Sequence, residues 1–114
     1  MISDFKINSE ANGNYAVIET NGYVNNVGGE AIVNEFSKHK DKGINNFVIN
    51  LAQSKVVNSI GISFLIEIIE KLNDSGGKLI FSNLDPTIEK TFTIMGLFQF
   101  SEKASTVEEA VTKF

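Results

Sequence analysis

One amphipathic helix between two apolar segments limits the folds that this chain can adopt. The helix is predicted from Gly61 to Asp74, where apolar side chains recur at i, i+3, i+4 and i+7. Its apolar stripe consists of Ile62, Leu65, Ile66, Ile69 and Leu72. The flanking segments Ile44 to Leu51 and Lys78 to Ser82 have the apolar alternation of strands. A strand–helix–strand unit of this kind predicts parallel strands joined by a right-handed crossover.

The N-terminal part of the chain predicts a hairpin and then a helix. Strands are expected from Asp4 to Asn8 and from Tyr15 to Thr20, with Asn12-Gly13 between them as a hairpin signal. A helix is expected from Val27 to Lys40, although Gly28-Gly29 weakens its first turn.

The C-terminal part predicts two further helices. Asp85 and Pro86 have the residue types of an N-cap and a first helical position, for a helix that ends near Met95. Leu97 to Phe100 is predicted as a short strand, and Ser105 to Glu108 as the capping box of a last helix reaching Lys113.

Together these elements predict an α/β fold in which residues 1–114 form a single domain. The sheet is mixed and mostly parallel, with about four to five strands and about four helices. Because the strands alternate apolar and mixed positions, we expect the helices to concentrate on one face of the sheet.

Composition excludes several kinds of chemistry. The chain has no cysteine, which removes disulfides, zinc–thiolate sites and thiol catalysis. Its net charge of −4 is unfavourable for binding nucleic acid. We expect no signal peptide and no membrane insertion, because no stretch reaches the ~18 apolar residues of a spanning helix. His39 is the only histidine, and we place it at a solvated helix end, with no metal site or cofactor.

The segment from Asn50 to Gly61 joins a strand to the strongest helix and places Ser59 at the helix start. Three interpretations of Ser59 are open on the residues alone. It caps the helix, its hydroxyl is modified, or it is a catalytic nucleophile. The third is the weakest, because Asn-Ser-Ile-Gly lacks the Gly-x-Ser-x-Gly pattern.

The order and spacing of these motifs resemble the STAS domains of bacterial anti-sigma-factor antagonists. The resemblance covers nearly the whole chain. It rests on Asn50-Leu51-Ala52 and Asn58-Ser59-Ile60-Gly61, on Gly22 to Asn25, on Gly76-Gly77 before a strand, on Pro86 through Gly96-Leu97-Phe98, and on Ser105 to Ala110.

The resemblance implies a cytoplasmic bacterial regulator without enzymatic activity, as a monomer or a weak dimer. It would bind an anti-sigma factor that is a serine kinase, lose that partner on phosphorylation of Ser59, and be reset by a phosphatase. ATP would belong to the kinase, so no cofactor is expected here. The implied partner-binding residues are Val24, Asn25, Asn26, Asn58, Ser59, Ile60, Gly61, Phe64 and Ile68, with Phe64 or Ile68 as an exposed anchor.

Three departures concern charge. Asn25, Asn50 and Asn58 stand where the family commonly has Asp, and Ile60 follows the serine in place of Ser or Ala. An amide keeps the hydrogen-bonding shape but removes the negative charge. Two alternatives stay open: a STAS scaffold or regulatory subunit, in a stressosome-like or lipid-transporter assembly, without a phosphorylation switch, and a small serine hydrolase.

Overall fold

The five strands lie in the sheet in the order in which they occur along the chain. A computed structural model describes residues 4–114. The strands are β1 (Lys6–Asn12), β2 (Tyr15–Asn21), β3 (Asn46–Gln53), β4 (Lys78–Ser82) and β5 (Glu102–Ala104). The helices are α1 (Asn26–Lys40), α2 (Ser59–Asp74), α3 (Pro86–Ile94) and α4 (Val107–Val111). The α/β fold class is therefore confirmed.

Strand pairing is antiparallel only at the N-terminal edge of the sheet. β1 and β2 form the predicted hairpin, with Asn12 opposite Tyr15. Gly13 has a φ of 68° in the turn, a conformation that favours glycine. The other three pairs, β2–β3, β3–β4 and β4–β5, are parallel, as the crossover helices require.

The two faces of the sheet are covered unequally. α1, α2 and α3 cover one face and enclose the larger core, to which β3 contributes Phe47, Ile49 and Leu51. A smaller core on the opposite face joins Val48 and Ile80 to Ala110 of α4. The prediction that the helices concentrate on one face is therefore confirmed by three of the four. α4 is the exception, since the second side of β3 and β4 is apolar enough to need cover.

Two predictions near the C-terminus differ from the structure by a few residues. Leu97–Gln99 is a 3₁₀ turn and the last strand is Glu102–Ala104, because Gly96 ends α3 with a φ of 79° and redirects the chain. The capping box is also displaced by one residue. Thr106 accepts a hydrogen bond from the Glu109 backbone N–H at 3.0 Å, so the box begins at Thr106.

His39 is buried, and the prediction of a solvated histidine is wrong. Its side chain is 8% exposed, and its Nε2 lies 2.8 Å from the hydroxyl of Ser9. Ser9 also donates a hydrogen bond to Glu35, so one serine of β1 joins two side chains of α1. The sequence placed His39 in a polar run, but β1 crosses over this end of α1 and covers it.

The Ser9 contact gives a prediction about acid stability. The hydrogen bond from Ser9 lowers the pKa of Glu35 from its usual 4.5, against the opposing effect of desolvation and with further lowering by Lys38. Because the pKa of Glu35 is lower in the folded state than in the unfolded state, its ionised form stabilises the fold at pH values above the unfolded-state pKa. This stabilisation is lost as the pH falls through the folded-state pKa. Ser9→Ala should raise the pKa of Glu35 and reduce the loss of stability on acidification.

Carboxyl ¹³C NMR titration measures the Glu35 pKa directly, and urea denaturation between pH 3 and 7 measures the stability. Ser37→Ala is the matched control, since Ser37 lies on the same helix and is half-buried. Equal Glu35 pKa values in wild type and Ser9→Ala would contradict the prediction.

The apolar stripe of α2 is confirmed as its contact with the sheet. Leu65 is fully buried, and Ile62, Ile69 and Leu72 are nearly so, whereas Ile66 is partly buried. Leu65→Ala should therefore lower the free energy of unfolding by about 2–5 kcal/mol. Asn73→Ala on the exposed side of α2 should change it by less than about 0.5 kcal/mol. Far-UV circular dichroism can follow the unfolding, since the chain has no tryptophan; similar values for the two variants would contradict the assignment.

Candidate functional site

The first turns of α1 and α2 begin side by side at the carboxyl ends of β2 and β3. The segments that lead into them run parallel, and Val24 and Val57 form an isolated parallel bridge. The Val24 N–H donates to the Val56 carbonyl at 3.0 Å, and the Asn58 N–H donates to the Val24 carbonyl at 3.1 Å. These backbone bonds fix the two helix starts relative to each other, so residues from both helices form one surface.

Asparagine side chains cap both helices. Asn25 Oδ1 accepts from the backbone N–H groups of Val27 and Gly28, at 3.0 and 3.1 Å. Asn58 Oδ1 accepts from the Gly61 N–H at 2.8 Å. The departures from Asp thus keep the acceptor that a cap needs and omit the charge. Asn50 follows the same rule, because its Oδ1 accepts from the Ala52 N–H at 2.9 Å.

Ser59 is the first residue of α2 and does not cap it. Since Asn58 provides the cap, the capping interpretation of Ser59 is wrong by one residue. The Ser59 side chain is exposed, and so is the neighbouring Ile60. Within residues 4–114, the backbone N–H groups of Ser59 and Ile60 meet no acceptor, and they lie at the positive end of the α2 dipole. This position favours an anion.

Gly61 and Gly29 allow the two helix starts to approach this closely, and Gly28 allows the segment before α1 to pack against the first turn of α1. A Cβ on Gly61 would lie 2.2 Å from the Val24 carbonyl oxygen. A Cβ on Gly29 would lie 2.4 Å from the Phe64 ring, and one on Gly28 would lie 2.8 Å from the Tyr23 carbonyl oxygen. Gly28 and Gly29 therefore lower the helix propensity of the first turn of α1, but they permit the close packing seen in the fold.

The structure separates the implied partner-binding residues into exposed and buried sets. Asn26, Ser59 and Ile60 are exposed, while Asn25, Asn58 and Phe64 are half-buried and Gly61 is buried. Val24 and Ile68 are fully buried. The prediction of Ile68 as an exposed anchor is wrong, because α1 packs on that side of α2 and makes it a second apolar face.

Sequence reasoning missed the exposed apolar side chains of Tyr23 and Val27, and it included Val56 only as part of the Ser54 to Gly61 loop. Tyr23, Val27 and Val56 are each about half exposed, as is Ile60. Alternation of side chains along an extended segment could have indicated their exposure. Tyr23 and Val56 each precede a valine, Val24 or Val57, that is buried or half-buried and pairs with the other segment. We call Tyr23, Val27, Val56 and Ile60 the apolar rim.

The site is almost free of ionisable groups. The two segments that form it, residues 22–29 and 54–61, contain a single charged side chain, that of Lys55. Over residues 4–114, no three acidic, histidine or cysteine side chains cluster as a metal ion would need. The same range contains no helix long and apolar enough to cross a membrane.

Comparison with known proteins identifies the family. The STAS domain model matches residues 6–110. The chain belongs to the STAS domain family. Over 93 residues this STAS domain is 26% identical to BtrV of Bordetella bronchiseptica, which is designated an anti-sigma factor antagonist. The alignment covers 82% of this chain and 80% of BtrV.

Solved structures of similarly designated proteins share the fold. A Thermotoga maritima protein designated an anti-sigma factor antagonist superposes with a TM-score of 0.86 at 16% identity, covering 94% of this chain and 92% of that one. The antagonist SpoIIAA in its unphosphorylated form superposes with a TM-score of 0.77 at 23% identity, covering 96% and 94%. Its phosphorylated form, from Bacillus, gives 0.73 at the same identity, covering 96% and 97%. The STAS fold is thereby confirmed.

Gly61 provides a test of the close approach in this STAS domain. In Gly61→Ala the added methyl group would meet the Val24 carbonyl, which is backbone and is fixed by the Asn58 N–H. We expect the free energy of unfolding to fall by about 1–3 kcal/mol, although alanine is otherwise the better helix former. Ser63→Ala, two residues further along α2 and exposed, should be close to wild type. Urea denaturation compares them, and a Gly61→Ala midpoint at or above that of wild type would contradict the packing argument.

Proposed function

We propose that this STAS domain is an anti-sigma-factor antagonist, which binds an anti-sigma factor serine kinase and is released from it by phosphorylation of Ser59. The observation that carries the proposal is the exposed Ser59 hydroxyl in the first turn of α2, beside the start of α1. The designations of BtrV and SpoIIAA support the regulatory role. The two solved forms of SpoIIAA support a switch by phosphorylation.

The proposed partner-binding surface is the apolar rim together with the polar groups that it surrounds. Ile60 is 51% exposed and adjoins Ser59 directly, which makes it the best candidate for an anchor. Apolar side chains at the centre of an interface often contribute more than about 1 kcal/mol to binding. Asn26 and the exposed edges of Asn25 and Asn58 supply hydrogen-bonding groups within this surface.

Phosphorylation would change this surface strongly because the surface is nearly neutral. A phosphate adds roughly −1.5 to −2 charges at pH 7. Within the free chain it would lie near the open N–H groups of Ser59 and Ile60, so the fold would tolerate it. Within a complex the same dianion would be buried among apolar side chains, which is costly without a cationic partner. The switch would therefore act on the complex and leave the fold intact.

The asparagines that stand in place of Asp remove negative charge from the surroundings of Ser59. Asn25 and Asn58 lie at the two helix starts without a charge that could repel the phosphate. The neutral caps therefore do not oppose a phosphate on Ser59, and we propose that a partner phosphatase removes it to reset the switch.

A hydrolase built on Ser59 has no histidine available. His39 bonds to Ser9 near the end of α1, about ten helical residues or roughly 15 Å from the turn that packs beside α2. This geometry favours a modified serine over a nucleophilic one.

The test is incubation of the protein with its cognate anti-sigma-factor kinase and ATP, followed by mapping of the product by mass spectrometry. We expect one phosphate, on Ser59, and loss of at least about tenfold in affinity for the kinase, measured by titration calorimetry. Ser59→Ala should bind the kinase and resist release by ATP.

Ser63→Ala is the matched control, since Ser63 is an exposed serine one turn further along the same helix. It should be phosphorylated and released as wild type is. Phosphate on another residue, or release of Ser59→Ala by ATP, would overturn the switch and favour a scaffold without one.

A further inference from the structure

A second surface with its own chemistry lies at the opposite end of α2 from Ser59. The 16 residues of α2 separate its two ends by about 24 Å. At the C-terminal end a groove of about 500 Å³ opens between α2 and the turn that follows α3. It therefore lies outside the surface that carries the proposed switch.

Large apolar side chains are exposed in the walls of this groove. Phe100 is 66% exposed and Met95 is 50% exposed, on either side of Gly96 and the buried Leu97. Ile66 and Ile69 form the α2 wall. Large apolar side chains grouped in a groove at this exposure commonly indicate a binding surface.

The rim of the groove is negatively charged, and its two carboxylates lie at positions of α2 where a negative charge destabilises the helix. Glu70 and Asp74 are four residues apart on α2, a like-charge pair that destabilises an isolated helix. Asp74 is also the last residue of α2, where the helix dipole disfavours a carboxylate. Neither forms an ion pair with any residue of 4–114, because Lys71 pairs with Glu67 instead.

We infer that this groove is a docking site for a cationic amphipathic helix of a partner protein, and that it works independently of Ser59. An apolar side chain of that helix would fill the space between Ile66 and Phe100. Lysine or arginine one turn away would pair with Glu70 and Asp74, which relieves their mutual repulsion. A second copy of this chain is a poor occupant, since each copy carries a net charge of −4.

The experiment uses a fluorescein-labelled 18-residue peptide of leucine and lysine with helical amphipathic spacing, titrated with the full chain and followed by anisotropy. A second peptide, with every lysine replaced by glutamate, keeps the apolar face and reverses the charge of the polar face. We expect the cationic peptide to bind at least about tenfold more tightly, with affinity that falls as salt is raised. Phe100→Ser and Glu70→Lys should each weaken it by about fivefold or more.

Glu30→Lys is the matched control for charge, since Glu30 is exposed on α1. Ile60→Ser is the control for apolar exposure at the other end of α2. Both should bind the peptide as wild type does, and so should Ser59→Asp, because the two surfaces are separate. Methyl NMR shifts on binding should fall on Ile66 and Met95.

Three outcomes would overturn the inference. Equal binding of the cationic and acidic peptides would remove the electrostatic argument. Equal losses in Glu70→Lys and Glu30→Lys would show attraction to net charge alone. Self-association by sedimentation, abolished by Phe100→Ser, would assign the groove to a second copy of the chain.

Discussion

The functional surface depends on one close contact between two backbone segments. The Val24 carbonyl lies against the first turn of α2 at Gly61. The Val24 carbonyl accepts a hydrogen bond from Asn58, and any side chain at Gly61 would displace it. The loop after β3 is further tied to β2 below this point, where the hydroxyls of Thr20 and Ser54 lie 2.7 Å apart in a buried position. Rigid backbone contacts of this kind allow a residue at a helix start, such as Ser59, to present a defined surface.

The same contacts explain how a site can lose its acidic groups and keep its shape. The amide oxygens of Asn25, Asn50 and Asn58 are fixed by backbone N–H donors, an arrangement that a carboxylate oxygen could equally adopt. What changes is the electrostatic field around Ser59. In this STAS domain that field comes from two helix dipoles and little else, because Lys55 is the only residue of the two segments that is charged at pH 7.

Most of the fold could be predicted from local patterns in the sequence, because α2 carries strong apolar periodicity and α3 has clear signals at both ends. The prediction of a strand from Leu97 to Phe100 was wrong because the apolar residues after Gly96 are equally compatible with a 3₁₀ turn. The predictions that Ile68 and His39 are exposed were wrong for the same reason. Each residue is buried by an element distant in sequence, Ile68 by α1 and His39 by β1. The position of Ser59 at the start of α2 followed from the residue pattern, and its role as a phosphorylation site from the resemblance. The apolar rim required the Val24–Val57 pairing, which no local pattern specifies.

The sequential strand order has a consequence for how the protein is made. From β1 onward, each strand that leaves the ribosome pairs with the strand synthesised just before it, and the crossover pairs span about 30 residues, as for Ala16 with Phe47 and Phe47 with Leu79. No strand has to wait for a later one to be inserted between it and its neighbour. The sheet can therefore grow at one edge as translation proceeds, and each new strand finds its partner already in place.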